Sequence, residues 1–132
     1  MSRRKIREST LQLIFEYEFL HKKNELSLND FLDENQFDAE EKSVVITNYN
    51  GIVEKESELE EIITKYLVDY KIDRIYKVDL CILKLAVYEM KFLNETPAVV
   101  INEAVEISKK YSTDKSFGFI NGILASVVKG EF

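Results

Sequence analysis

The sequence predicts an all-α protein, a compact helical bundle of about six or seven helices. Apolar residues recur at helical spacing along most of the chain. No segment alternates apolar and polar residues over the length that a half-buried strand needs. Helix breakers are scarce, and one proline and four glycines among 132 residues leave room only for short connections.

The first helix spans about Arg3 to Lys22. Its apolar positions, Ile6, Thr10, Leu13, Ile14 and Tyr17, are widened by a second row at Leu11, Phe15 and Phe19, so a broad face is buried. A short helix near Leu28 to Glu34 follows. Asp38 then caps a longer helix that carries Val44, Val45, Tyr49, Ile52 and Val53. Ser57 and Glu60 have capping-box spacing, which places a break or second start before Leu59, Ile62, Ile63, Tyr66 and Leu67.

Val78 to Leu93 is apolar nearly all round, with Asp79, Lys84, Glu89 and Lys91 as its charges. Such a helix belongs at the centre of a bundle. Thr96 and Pro97 form a helix start, an N-cap followed by a first-turn proline. The helix from Pro97 to Tyr111 buries Val100, Ile101, Ala104, Val105 and Ile107. It ends with Lys109 and Lys110, which suit the negative end of the helix dipole. Ser112 to Asp114 cap a last helix carrying Phe117, Ile120, Ile123, Leu124 and Val127.

With 45% apolar residues and no serine- or glycine-rich linker, residues 1–132 read as one domain with one core. The longest apolar run, Leu80 to Met90, is broken by Lys84 and Glu89 and falls well short of the roughly 20 residues a membrane span needs. Leu11 to Leu20 is interrupted by Gln12, Glu16 and Glu18, so it does not make a signal peptide. The lone cysteine, Cys81, excludes an intrachain disulfide and reads as a small core residue in a reducing cytoplasm. No metal-ligand spacing, phosphate-binding glycine loop or nucleophile–base pair is present, His21 stands alone near a helix end, and no cofactor or enzymatic chemistry is expected.

Charge is unevenly placed. The chain carries −6 overall, yet residues 1–8 sum to +3 through Arg3, Arg4, Lys5 and Arg7, while residues 24–61 sum to −10. The four cations sit at a helix N-terminus, the wrong end of the macrodipole. An external polyanion, nucleic acid above all, would explain them, and a solubilising tail is the plainer alternative. The acidic middle reads as a solvated helix face that would repel RNA or DNA.

Several segments resemble the NusB transcription antitermination factors: RRKIRESTLQLIF (3–15), RIYKVDLCILKLAVYEM (74–90), VVINEAVEISKKY (99–111) and SFGFINGIL (116–124). The resemblance spans essentially the whole chain and rests most on INEAVE and F-x-NG in this order and spacing. It implies a helical bundle that binds boxA RNA, a short single-stranded element of ribosomal RNA leader transcripts. The binding would be shared with NusE, a small-subunit ribosomal protein, within the RNA polymerase antitermination complex.

By the same resemblance the RNA face joins Arg3, Arg4, Lys5 and Arg7 to Tyr111, Lys115 and Phe119, cations for phosphates and rings for unstacked bases. Phe119 could equally be core. Lys115 departs from an acid found near this position in the family. NusE would meet Asp79, with Tyr88 and Glu89 further along that helix, although Leu80 departs from the family's frequent Asp-Arg pair. Gly118 and Gly122, four apart, let a helix or a ligand approach closely, helix packing being the simpler reading. Asn102 and Asn121 read as satisfying helix ends or loops. A protein adaptor without RNA, and a stand-alone recognition module like those that precede ribosomal RNA cytosine methyltransferase domains, are the rival functions.

Overall fold

The computed structural model describes residues 3–23 and 25–132, with all of their side chains except those of residues 25–27. Its described residues form seven α-helices and no strand: α1 (Arg3–Leu20), α2 (Glu25–Glu34), α3 (Ala39–Glu54), α4 (Glu56–Lys65), α5 (Lys77–Phe92), α6 (Pro97–Tyr111) and α7 (Ser116–Glu131). A single 3₁₀ turn, Ile72–Arg74, leads into α5.

The core is built around α5. Twelve of its sixteen residues are buried, and it packs against α1, α3, α4, α6 and α7. Three of those buried residues are charged, Asp79, Lys84 and Glu89, and each is held by a different part of the bundle. Asp79 accepts from the hydroxyls of Ser112 and Ser116 at the α6–α7 corner. The Lys84 ammonium, 1% exposed, meets Glu18 at 3.0 Å, Glu56 at 3.2 Å and Glu60 at 3.0 Å, joining α5 to α1 and α4. Burial alone would lower the pKa of Lys84, but its hydrogen bonds to Glu18 and Glu60 reverse that and raise it. Glu89 accepts from Arg7 Nε at 2.8 and 3.0 Å. No buried side-chain nitrogen or oxygen among the described residues lacks a hydrogen-bond partner, so α5 sits in the centre without an orphaned charge.

Local chemistry explains most helix limits. Asp38 accepts from the Glu41 N–H while the Glu41 carboxylate accepts from the Asp38 N–H, a complete capping box at the start of α3. The first helix ends at Leu20 rather than Lys22, because His21 turns left-handed at φ 54°. The second begins three residues before Leu28. The break after α3 is present, but Lys55 forms it and Ser57–Glu60 do not: α4 opens at Glu56, and Glu60 is drawn to Lys84 instead. Thr96 does occupy the N-cap before Pro97, without a side-chain bond. Lys115 is the N-cap residue of α7, so Ser112 to Asp114 act one step back, through Thr113 N–H donating to Ser116 Oγ.

Other sequence expectations change at the surface. Phe19 and Phe117 are 59% and 44% exposed rather than core. Ile101 and Val105 are half-buried, while Asn102, Gly118, Asn121 and Gly122 lie in the open. A Cβ built on Gly118 or Gly122 meets nothing within 4 Å, so no helix packs there. Gly51 and Gly130 have the close approach instead, against the rings of Tyr88 and Tyr66. Cys81 is fully buried, and burial pushes its thiol up to about 12, which keeps it protonated and inert. No helix among the described residues is long and apolar enough to cross a membrane.

Candidate nucleic-acid interface

Arg3, Arg4 and Lys5 occupy the first turn of α1, where the helix begins beside α6. The Arg4 guanidinium donates through Nε and Nη2 to the two carboxylate oxygens of Glu103 on α6, at 3.2 and 3.1 Å. Hydrogen bonding to Glu103, and then its charge, raise the Arg4 pKa and hold the Glu103 carboxyl below its ordinary value. Arg3 stands 3.8 Å from Glu95. The Lys5 ammonium donates to the Asn35 carbonyl at 2.7 Å and lies over the Phe37 ring. One turn on, Glu8 accepts from Lys110 at 2.8 Å, a second side-chain link between α1 and α6.

Arg7 does not join this surface. It is 8% exposed and its partner Glu89 is 5% exposed, so the pair belongs to the interior. Burial raises the Glu89 pKa even though Arg7 opposes the rise. Asp79 and Tyr88 are likewise buried, the first against the α6–α7 corner and the second against Gly51 on α3. Burial also raises the Tyr88 phenol pKa. Asp79, Tyr88 and Glu89 therefore face three different neighbours, and the structure does not gather them into a docking face.

The aromatic half of the site is assembled at the α6–α7 corner. Tyr111 ends α6 and is 38% exposed, and its Glu103 neighbour along the helix lies about 12 Å away at 1.5 Å per residue. Lys115 is exposed and Phe119 half-buried. Phe119 packs edge-on against Tyr70, ring centroids 5.7 Å apart. Between them opens a cleft of about 180 Å³ with Tyr70, Arg74, Tyr76, Lys115 and Phe119 around the buried Asp79 and Ser116. Tyr70 and Tyr76 are 58% and 55% exposed.

Tyr70, Arg74 and Tyr76 were not visible as site residues from motifs. They lie on and around the 3₁₀ turn, and their only sequence signal is a run of aromatic and basic residues in a polar connection, KYLVDYKIDRIYK (65–77). The Asp79 bonds give that corner its shape: Ser112 and Ser116, tied to α5, fix where α7 starts and hence where Lys115 and Phe119 point. Exposed rings beside cations are what single-stranded bases and phosphates require.

The fold and this face define a small helical-bundle protein with a mixed cation and aromatic surface. A model described as the NusB family matches residues 4–129, and the chain belongs to that family. It is 41% identical to the transcription antitermination protein NusB of Clostridium botulinum, over 98% of this chain and 99% of that protein. The NusB of Agathobacter rectalis is 44% identical over 95% and 98%. Among solved structures, T. maritima NusB superimposes with a TM-score of 0.89 at 34% identity, covering 98% of this chain and 92% of that one. A crystal structure of the antitermination factors NusB and NusE in complex with double-stranded RNA gives 0.86 at 25% identity, with 96% of each chain covered.

Proposed function

We propose that this chain is an RNA-binding transcription antitermination factor that acts in the bacterial cytoplasm with NusE. Its RNA is a boxA-like single strand of ribosomal RNA leaders, and the outcome is read-through by RNA polymerase. Family membership over nearly the whole chain carries the reading, together with the solved NusB–NusE–RNA relative. We read the chain as a binding factor rather than an enzyme.

The RNA path we infer runs from Arg3 and Arg4 to the α6–α7 corner. Arg3, Arg4, Arg74 and Lys115 meet phosphates, and Tyr70, Tyr76, Tyr111 and Phe119 offer rings to unstacked bases. Arg74 and Lys115 form no ion pair with any described carboxylate, which leaves both open to a phosphate. Lys5, whose ammonium is already held at the Asn35 carbonyl, adds field along the same edge. Arg7 and Glu89 brace α1 against α5, and Asp79 shapes the corner. NusE is then expected to dock on other side chains than Asp79, Tyr88 and Glu89.

Four phosphate contacts set a slope of about −2.8 for log affinity against log salt on a single strand, at about 0.7 per phosphate. Replacing Arg74 and Lys115 by alanine reduces it to about −1.4. A titration of boxA-like single-stranded RNA, with a duplex of the same sequence as second ligand, reads this directly. The reading fails if affinity is independent of salt and of these two cations. An adaptor that binds protein alone gives that result.

A further inference from the structure

We infer that Glu103, aided by Glu95, is an internal competitor of RNA phosphates for the basic end of α1, so that the free protein keeps this part of its RNA face neutralised. The inference rests on the RNA-binding reading above and adds a restraint to it. Along α1, α6 and the end of α5, five cations meet five carboxylates one to one: Arg3–Glu95, Arg4–Glu103, Arg7–Glu89, Lys109–Glu106 and Lys110–Glu8. Three of the four cations that single out residues 1–8 in the sequence, Arg3, Arg4 and Arg7, are thus paired in the fold with acids from distant segments.

Arg4 carries the argument furthest. Its Nε–Nη2 edge, the fork that grips a phosphate with two parallel bonds, is spent on Glu103. The geometry is uneven, because the Arg4 side chain is 57% exposed while that of Glu103 is 18% exposed. A phosphate can thus reach the guanidinium from solvent, while the carboxylate stays behind it and repels the incoming anion. Full bidentate contact requires Arg4 to swing away from Glu103. At Arg3 the hold is weaker, since the nearest pair distance is 3.8 Å and the side chain is 69% exposed. The open cleft with Arg74 and Lys115 has no such restraint, so RNA engages there without breaking an internal pair, and the start of α1 closes on it in exchange for its carboxylates.

The test is Glu103→Gln in the full-length chain, titrated with boxA-like single-stranded RNA over a range of salt. Exposed ion pairs contribute little, so removing the competitor tightens binding about two- to fivefold at low salt. The slope of log affinity against log salt stays near about −2.8, because Arg4 is one of the four phosphate contacts in both forms. Glu95→Gln tightens binding in the same way by less. Glu61→Gln, a substitution of an unpaired exposed acid on α4, corrects for net charge and leaves the affinity nearly unchanged.

Thermal melting of each variant establishes that it is folded at the titration temperature. If Glu103 only supports the fold, or pre-orients Arg4 for RNA, Glu103→Gln binds no more tightly than Glu61→Gln, and the inference is overturned. A wild-type chain that binds no RNA overturns the function as well. A wild type that binds with the expected slope beside an inert Glu103→Gln overturns the competition alone.

Discussion

At the scale of single residues, polar groups in the interior decide more than their number suggests. Lys84 contacts three carboxylates from two other helices while almost wholly excluded from water. Lys84→Met leaves Glu18 buried without its cation, and a loss of about 3–5 kcal/mol in urea unfolding is expected. Asp79→Ala removes the charged acceptor shared by the Ser112 and Ser116 hydroxyls and costs about 1.5–3 kcal/mol. RNA affinity should fall in that variant as well, because the corner that sets Lys115 and Phe119 loses its brace. Gly51 faces the ring of Tyr88 where a Cβ has no space. Gly51→Ala is therefore expected to destabilise by about 1–3 kcal/mol by overpacking, outweighing the gain of up to about 1 kcal/mol in helix propensity.

Helices and their junctions show what a sequence pattern can and cannot reveal. The limits of α6 follow from Thr96-Pro97 and the closing lysines, and α3 from Asp38; Asp38→Ala should lower the melting temperature through a cap worth about 1 kcal/mol. The central position of α5 was legible from its all-round apolar pattern, whereas the burial of Asp79, Tyr88 and Glu89 against three different neighbours was not. The exposure of Phe117, Gly118 and Asn121 was not legible, since helical spacing gives a face its phase but does not say which neighbour fails to cover it. Tyr70, Arg74 and Tyr76 escaped notice because their grouping with Phe119 depends on how the 3₁₀ turn returns to α7. Arg7 sits one turn along from Arg3 and Arg4 and looks equivalent in sequence, and only Glu89, 82 positions away, makes it internal.

For the molecule as a whole, long-range pairing takes up three of the four N-terminal cations. Residues 1–132 are proposed to unfold as one unit, so far-ultraviolet circular dichroism and tyrosine fluorescence should trace the same urea transition. Acid should weaken the fold through Glu131 and Glu103. Glu131 is held below the ordinary carboxylate value of 4.5, first by its hydrogen bond from Tyr66 and then by that from Lys65. A lowered folded pKa means a contribution present above the unfolded value and lost as pH falls through the folded one. Glu131→Gln should therefore lower the urea midpoint at pH 7 and lose its effect once the pH has fallen through the folded value. Glu89 acts in the opposite sense: its raised pKa means that its share of stability declines as pH rises from 4.5 through the folded value.

The most direct measurement is ultraviolet crosslinking of boxA-like RNA to the chain, with and without NusE, followed by mapping of the modified residues. Crosslinks are expected at Tyr70, Tyr76, Tyr111 or Phe119 and at peptides containing Arg3 and Arg4, and they should strengthen when NusE is present. Crosslinks confined to the acidic α2–α4 region, or none in either condition, would contradict an RNA path across the α1–α6 edge and the α6–α7 corner.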